Sequence, residues 1–410
     1  MKRTIIPGLL LVVPLAACSG GGAPGGAVRD SAGVAIVENT ARGSWGPGGP
    51  WQFEEALRIG TPTGEPEYQF GQVVGLDVDD AGNIYVLDQM AQEVRVYDAS
   101  GKYVRSLGRP GNGPGELSRN ASAVLIGRGD TVYVADLMLQ RMSRYAPDGS
   151  DAGTFPIPLD QGVSARWEMT ENNTFLQQVQ TIPLPGQTNA AAPVNLILSR
   201  ATDGTLQDTV LHLKASETVR FDETGPRIRL FQPETVWTLL PGDRIALAVN
   251  STYRIEVHGG DGALQRVITR PFERKPVGEA DRQAFLKMFR ETWERNGVPA
   301  QAIPQLVSAV SFADYYPAFA NLLSGPDGSL WVQQIRTADE TGAEGGDFTV
   351  QDVGSPSWDV FDADGQFLGT VTFPARFTAM RFHGDSVYGL WRDDMDVQHV
   401  MVLSRKTQAS

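Results

Sequence analysis

The chain has 410 residues, of which 41% are hydrophobic, so it is long enough to bury a large core. Its formal net charge is −13 and its isoelectric point is about 4.9. An acidic surface of this kind repels phosphate backbones and anionic lipid headgroups, which excludes nucleic acid and a charged membrane surface as expected partners.

The first residues have the pattern of a bacterial lipoprotein signal peptide. Two basic residues precede an apolar run over 5–17 that is too short to span a bilayer. The run ends in Leu-Ala-Ala before Cys18, the only cysteine of the chain, and resembles the site at which such proteins are cleaved and lipidated. An ordinary secretory signal followed by a chance cysteine is the alternative. We predict a signal peptide over 1–17 and a lipid on Cys18.

The segment after Cys18 is rich in glycine, and we predict a flexible tether over 18–32. Ser19 rather than aspartate follows the cysteine, which by resemblance to Gram-negative lipoproteins favours transfer to the outer membrane. The expected location is the bacterial cell envelope, with membrane contact through the lipid alone. Whether the protein faces the periplasm or the cell surface stays open.

Residues 57–101 and 105–149 are two copies of one repeat, offset by 48 residues without a gap. Tyr85 matches Tyr133, and Asp88 matches Asp136. A period of this size with several short β-rich segments is typical of a β-propeller, in which each four-stranded blade buries its faces against its neighbours. The sequence therefore predicts an all-β fold.

Six segments share the pattern of the second strand of a blade, a polar turn followed by alternating apolar residues. They begin at Ile84, Val132, Thr174, Ile245, Leu330 and Val387. The second position is aromatic in five of them, and side chains at one parity of a strand share a face. We predict six blades over 33–410, with these aromatic residues packed between blades.

The last blade lacks an outer strand of its own, because the chain ends soon after its third strand. Residues 53–59 precede Gly60 as residues 103–107 precede Gly108, so we predict that they supply the missing strand. This N-terminal strand would close the ring and remove an open sheet edge.

The motif Gly-Asn-Ile-Tyr-Val-Leu-Asp at 82–88, followed by Arg-Val-Tyr-Asp at 95–98 and by Gly101, resembles NHL repeats. With the signal sequence and the Gly-Asn-Gly-Pro-Gly-Glu loop at 111–116, the chain is similar to exported bacterial six-bladed β-propeller lipoproteins of unassigned function. The resemblance covers the first two blades and implies a propeller with a binding role. Some six-bladed relatives, among them gluconolactonase-like hydrolases and the amidating lyase, use a metal ion at the channel mouth.

Two sets of residues are candidate ligands for such an ion. The four histidines do not converge in this register: His212, His258, His383 and His399. Calcium, which needs only oxygen ligands, stays open as a cofactor. The ends of the second strands would place a ring of side chains round one channel mouth: Asp88, Asp136, Gln178, Asn250, Gln334 and Trp391. The alternative is that these side chains cap local turns.

The long loops all lie on one face of the predicted propeller. Loops after the first and third strands are short, whereas four long insertions follow second or fourth strands in blades three to five: 180–193, 214–233, 271–315 and 337–357. Long structured loops on a rigid scaffold usually carry recognition. We expect residues 338–347 to be mobile, because they are acidic and rich in glycine.

The insertion between blades four and five contains a predicted helix, about 279–296 within 276–300, with an apolar stripe that includes Phe285, Phe289 and Trp293. The stripe either packs on the propeller as a lid or docks a partner. Arg220, Arg227 and Arg229 form a local basic group that could bind an anion or pair with nearby acids.

The sequence thus favours a binding or scaffold protein that recognises a protein, peptide or glycan through the face of blades three to five. The alternative is a gluconolactonase-like hydrolase or lyase with a divalent ion at the channel mouth. No catalytic residue can be assigned, because the sequence contains no Gly-x-Ser-x-Gly motif and its one cysteine lies in the signal site.

Overall fold

The structure is a computed structural model that describes residues 26–46, 49–159, 162–181, 194–222, 225–344 and 353–406. The predicted signal peptide, Cys18 and most of the predicted insertion over 180–193 lie outside these ranges. Six sheets, each built on the antiparallel strands of one blade, follow one another along the described chain, and a seventh, three-stranded sheet belongs to the insertions. The prediction of an all-β six-bladed propeller is confirmed.

The strands up to blade three follow the predicted order. Three strands precede the first blade: β1 (Ala27–Ser31), β2 (Val34–Glu38) and β3 (Phe53–Ile59). Blade one contains β4 (Val73–Val78), β5 (Ile84–Asp88), β6 (Glu93–Tyr97) and β7 (Tyr103–Leu107). Blade two contains β8 (Ala121–Ile126), β9 (Val132–Asp136), β10 (Arg141–Tyr145) and β11 (Asp151–Pro156). Blade three contains β12 (Val163–Met169), β13 (Phe175–Gln180), β14 (Asn195–Arg200) and β15 (Leu206–His212).

The second half of the chain alternates blades with insertions. After β16 (Val219–Asp222) and β17 (Gly225–Leu230), blade four contains β18 (Thr235–Leu240), β19 (Arg244–Val249), β20 (Arg254–His258) and β21 (Leu264–Thr269). An insertion follows with α1 (Glu279–Arg295), α2 (Ile303–Ser308) and β22 (Val310–Phe312). Blade five contains β23 (Asn321–Ser324), β24 (Leu330–Ile335), α3 (Ala338–Glu344), β25 (Gly354–Phe361) and β26 (Phe367–Thr372). Blade six contains β27 (Phe377–His383), β28 (Ser386–Arg392) and β29 (Gln398–Arg405).

The core lies between neighbouring blades. The aromatic residues of the second strands are buried there, together with Ala246 of blade four: Tyr85, Tyr133, Phe175, Trp331 and Tyr388. Phe175 packs edge-on against Tyr133 of blade two with ring centroids 5.0 Å apart. Such contacts join each blade to the next, because an isolated blade leaves both of its faces exposed.

The N-terminal segment runs along the outside of blades four, five and six. Strand β2 pairs parallel with β21, and the amides of Ser44 and Trp45 bond to carbonyls of β26. Strand β3 then pairs antiparallel with β29, with Ile59 opposite Val400. Because β1 pairs with β2, the part of the predicted 18–32 tether at Ala27–Ser31 is a strand and not a flexible linker.

Three separate insertions fold together into one unit, here named the cap: β16, β17, β22, α1, α2 and α3. Strand β17 pairs with β16 and, in parallel, with β22. Phe231, Phe285 and Ala338 belong to one buried cluster contributed by all three insertions. The expectation that 338–347 is mobile is wrong for Ala338–Glu344, because this helix buries Ala338 against the cap.

Candidate functional site

Asp88, the first member of the predicted channel ring, caps two neighbouring loops. Its Oδ2 accepts a hydrogen bond from the Gly71 amide at 2.8 Å, and Oδ1 accepts from Gln72 at 3.0 Å. The amides of Met90 and Ala91 donate to the same Oδ1 at 3.0 and 3.2 Å. The buried carboxylate of Asp88 therefore stabilises both the turn after β5 and the segment that leads into β4.

Asp136 and Asn250 have equivalent roles. Asp136 accepts from the Ser118 amide at 2.7 Å, from Ser118 Oγ at 2.6 Å and from the Leu139 amide at 3.1 Å. Asn250 accepts from the Glu234 amide and donates to the Phe319 carbonyl, at 2.8 and 2.9 Å. Asp136 thus caps its own turn and the entry to its own blade, whereas Asn250 also joins blade four to the segment that leads into blade five.

The remaining polar members of the ring join neighbouring elements. Gln178 accepts a 2.8 Å hydrogen bond from Trp237 Nε1 of blade four and donates to Asn195 at 2.9 Å. Gln334 donates to Asp359 Oδ1 at 2.9 Å. Within the described part of the chain, no group of three or more His, Cys, Asp or Glu side chains could hold a metal ion.

Trp391 packs between Arg58 and one of the four histidines. The Arg58 guanidinium lies 4.1 Å from the centre of the Trp391 ring, and the ring centroids of Trp391 and His399 are 5.4 Å apart. His399 faces the Gly60 carbonyl, and His258 faces the Gly262 carbonyl, at 3.1 and 2.9 Å. The other two histidines lie on β15 and at the end of β27: His212 and His383.

The apolar stripe of α1 faces the inside of the cap. Phe285 and Phe289 are buried, and Phe285 contacts Phe231 with ring centroids 5.1 Å apart. Trp293 is partly buried and stacks on Phe289 at 5.4 Å. The expectation that Phe285 and Phe289 form a partner-binding surface is wrong, because burying them holds the cap together.

The three predicted arginines lie on the β16–β17 hairpin of the cap. The side chain of Arg220 lies outside the described residues. Arg227 is partly buried and donates to the Ser308 carbonyl at 3.2 Å, which ties the hairpin to the end of α2. Arg229 is exposed. The basic group thus contributes both to cap structure and to the outer surface.

A cavity of about 480 Å³ opens at the channel mouth opposite the cap. Residues from the first strands of blades three to six, and from the turns after them, line it. Cap segments instead follow second or fourth strands, and alternate ends of antiparallel strands lie on opposite faces. The residue ring predicted from the sequence lies at the ends of the second strands, and these ends lie at the other mouth of the channel.

Four charged side chains cross the channel near this cavity. Arg381 of blade six places Nε 2.7 Å from Asp77 Oδ1 of blade one and Nη1 3.8 Å from Glu168 Oε2 of blade three. Arg166 places Nη2 2.7 Å from the other oxygen of Glu168. The result is an alternating chain of charges, Asp77–Arg381–Glu168–Arg166, that joins three blades.

Burial raises the pKa of the Asp77 carboxyl, while Arg381 and the amides of Ile126 and Val78, each 2.8 Å away, lower it. The charge of Asp77 in turn raises the pKa of Arg381. A sequence signal for this site exists: charged residues stand one or two places before the ends of three first strands. Such residues in apolar strands would face the channel.

Comparison with known proteins agrees with a six-bladed β-propeller. Residues 65–175, which span blade one, blade two and the first strand of blade three, match the family DUF5128, described as a 6-bladed beta-propeller. Among curated proteins, no match is found.

Solved structures share the fold at low sequence identity. A protein of Bacteroides fragilis described as exported is 11% identical with a TM-score of 0.51, covering 91% of this chain and 100% of its own. A DUF4221 member from Bacteroides vulgatus is 10% identical with a TM-score of 0.52, covering 88% and 99%. A gluconolactonase of Xanthomonas campestris is 10% identical with a TM-score of 0.44, covering 87% and 100%. At these identities the likeness concerns the fold alone.

Among the described helices, none is both long and apolar enough to cross a bilayer.

Proposed function

We propose that this chain is a lipid-anchored recognition protein of the bacterial cell envelope, in which the cap on blades three to five binds a protein, peptide or glycan. The main support for this proposal is that three separate insertions assemble into the cap, with a shared core and a shared sheet. A unit built on a finished propeller has a role apart from closing the ring, and long structured loops on rigid scaffolds commonly recognise ligands.

The exposed cations of the cap supply the contact surface in this proposal. Arg229 lies on β17, and Lys287 and Arg290 lie on the outer side of α1, all three exposed. In a chain of net charge −13, such a group favours a partner that presents carboxylates or other anions. The buried side of α1 serves to hold this surface rigid.

The proposal also includes the N-terminal arrangement. A lipid on Cys18 would hold the chain at the outer membrane, and β3 would close the ring as the outer strand of blade six. Support for the lipid is the basic, apolar and Leu-Ala-Ala-Cys pattern of residues 2–18. Support for closure is the pairing of β3 with β29.

Site-specific photo-cross-linking in cells tests the recognition surface. A photoreactive amino acid at position 290 should yield a discrete adduct, whereas the same amino acid at position 128, an exposed arginine on the opposite face, should not. Arg229→Glu combined with Lys287→Glu should reduce the adduct at least tenfold. Arg128→Glu is the matched control and should leave it unchanged.

Circular dichroism melting accompanies each variant, because the substitutions are on the surface and should leave the melting temperature unchanged. Equal adduct yields from positions 290 and 128, or an adduct that persists in the double variant, would reject the cap as the recognition surface.

A further inference from the structure

The cavity at the channel mouth opposite the cap contains hydrogen-bonding groups that the described residues satisfy only in part. Arg381 is 35% exposed, and its Nη1 lies 3.8 Å from Glu168 Oε2, which is beyond hydrogen-bond distance. The imidazole of His383, half-buried at the rim, has no hydrogen-bond partner in the described chain. Donors that line a cavity in this way are available to a ligand that carries oxygen acceptors.

The charges around the cavity argue against an anionic ligand. Carboxylates outnumber guanidiniums in and beside the cavity, four to two. The carboxylates belong to Asp77, Glu168, Glu171 and Asp243, and the guanidiniums to Arg166 and Arg381. Both arginines already lie in ion pairs with carboxylates in the channel. A further carboxylate or phosphate would therefore enter a region without surplus positive charge, and its loss of hydration would be poorly offset.

The carboxylates in turn are occupied, which argues against a cationic ligand. Both oxygens of Asp243 accept hydrogen bonds, from the Glu171 amide at 2.7 Å and from Asn172 Nδ2 at 2.6 Å. Glu171 accepts from the Gly242 amide at 2.9 Å. One oxygen of Glu168 lies 2.7 Å from Arg166, and the other faces Arg381 at 3.8 Å, which is an ion pair without a hydrogen bond. An ammonium group would have to displace these partners.

We propose that this channel mouth is a second binding site, which takes a neutral, hydroxyl-rich ligand of the size of a sugar. Hydroxyl groups accept from Arg381 and exchange hydrogen bonds with His383 without adding charge. Leu240, Leu323 and Phe382 line the same cavity and suit the apolar face of a sugar ring. The volume of about 480 Å³ lies within the range of small-molecule sites. This site is independent of the cap.

Titration calorimetry of the full chain in detergent tests the proposal with sugars that differ in charge. Glucose, galactose, mannose and N-acetylglucosamine are the neutral probes, glucuronate is the anionic probe and glucosamine the cationic one. We expect at least one neutral sugar to bind more tightly than both charged sugars. Absence of binding by all four neutral sugars, or tighter binding of either charged sugar, overturns the proposal.

Two variants locate the site. Arg381→Gln should weaken binding of the best neutral sugar at least tenfold, but it leaves Asp77 without its cation and can unfold the channel. His383→Ala removes a side chain with no described partner, so it should weaken binding at least threefold at an unchanged melting temperature. His212→Ala, an exposed histidine on an outer strand, is the control. Unaltered binding in His383→Ala overturns the assignment to this mouth.

Discussion

Tyr253 of blade four donates a 2.8 Å hydrogen bond to Asp359 of blade five in the buried junction between the two blades. Arg270 Nη1 lies 2.6 Å from the same oxygen, and Gln334 and Thr370 donate to the other oxygen at 2.9 and 2.8 Å. Burial, followed by the charge of Asp359, raises the pKa of Tyr253 well above its ordinary 10.0. The hydroxyl therefore stays protonated and continues to donate.

Asp359→Ala should be among the most destabilising substitutions in the propeller. It leaves Arg270 and three neutral donors without their shared acceptor, and breaking a buried ion pair costs about 3–5 kcal/mol. Urea denaturation measures the loss. Asp364→Ala on the same blade removes a carboxylate that is 85% exposed and should cost below about 1 kcal/mol. Similar losses from the two variants would contradict the assigned role of this junction.

Ring closure through β3 predicts a sharp difference between two truncations. A chain that starts at Thr61 lacks β3 and exposes the edge of β29, so it should aggregate or melt without cooperativity. A chain that starts at Gly33 loses β1 but no other described strand, and the five residues of β1 are all exposed, so it should keep its melting temperature within a few degrees. Light scattering and calorimetry compare them. A soluble, equally stable chain from Thr61 would show that β3 is dispensable.

The turn-capping role of the predicted ring can be separated from calcium binding. Asp88→Ala leaves four partly buried backbone amides without their acceptor, and Asp136→Ala leaves two amides and the Ser118 hydroxyl, so each should cost about 1–3 kcal/mol in urea denaturation. Calcium should not change the melting temperature of the unsubstituted chain. A calcium-dependent rise that both substitutions abolish would instead favour an ion at this ring.

Stability should decline at alkaline pH because of buried tyrosines. Burial, the largest cause for both, raises the pKa of Tyr85 and of Tyr145 to about 12. The folded chain holds these protons more tightly than the unfolded chain, whose ordinary value is 10.0, so this contribution is complete below pH 10 and is lost as pH rises through 12.

Urea denaturation at pH 8 and pH 11.5 measures the effect. The double variant Tyr85→Phe/Tyr145→Phe should lose less stability between these values than the unsubstituted chain, since one pKa unit corresponds to about 1.4 kcal/mol. Tyr315→Phe, which removes a hydroxyl from a 41% exposed ring, is the control and should decline like the unsubstituted chain. Equal slopes for all three chains would contradict the prediction.

Cys18→Ala tests the proposed anchor. The apolar run before it is too short to hold the protein in a bilayer, so loss of the lipid should move the chain from the membrane pellet to the soluble fraction. Ser19→Ala is the matched control and should remain in the pellet. Retention of Cys18→Ala in the pellet would place the anchor elsewhere.

The blade pattern can be predicted from the amino-acid sequence, because turns and strand alternation are local features. Turns that begin with or contain aspartate and end in glycine, Asp-Ala-Ser-Gly at 98–101 and Pro-Asp-Gly at 147–149 among them, adopt positive φ at the glycine, 82° and 90° in these two, and recur in blades one to five. The number of blades and the identity of the buried aromatic residues follow from that rhythm. The concentration of long loops on one face can also be predicted from the sequence, since it depends only on the length of each loop and on the strand that it follows.

Tertiary structure alone decided which side chains meet. Asp77, Glu168 and Arg381 are far apart in the chain and converge because the first strands of different blades surround one channel. Phe285 and Phe289 formed an apolar stripe that fitted either a lid or a docking helix, and only the packing of three insertions buried it. Contacts of this kind join side chains from blades or insertions that are distant in sequence, and no local pattern specifies which of them meet.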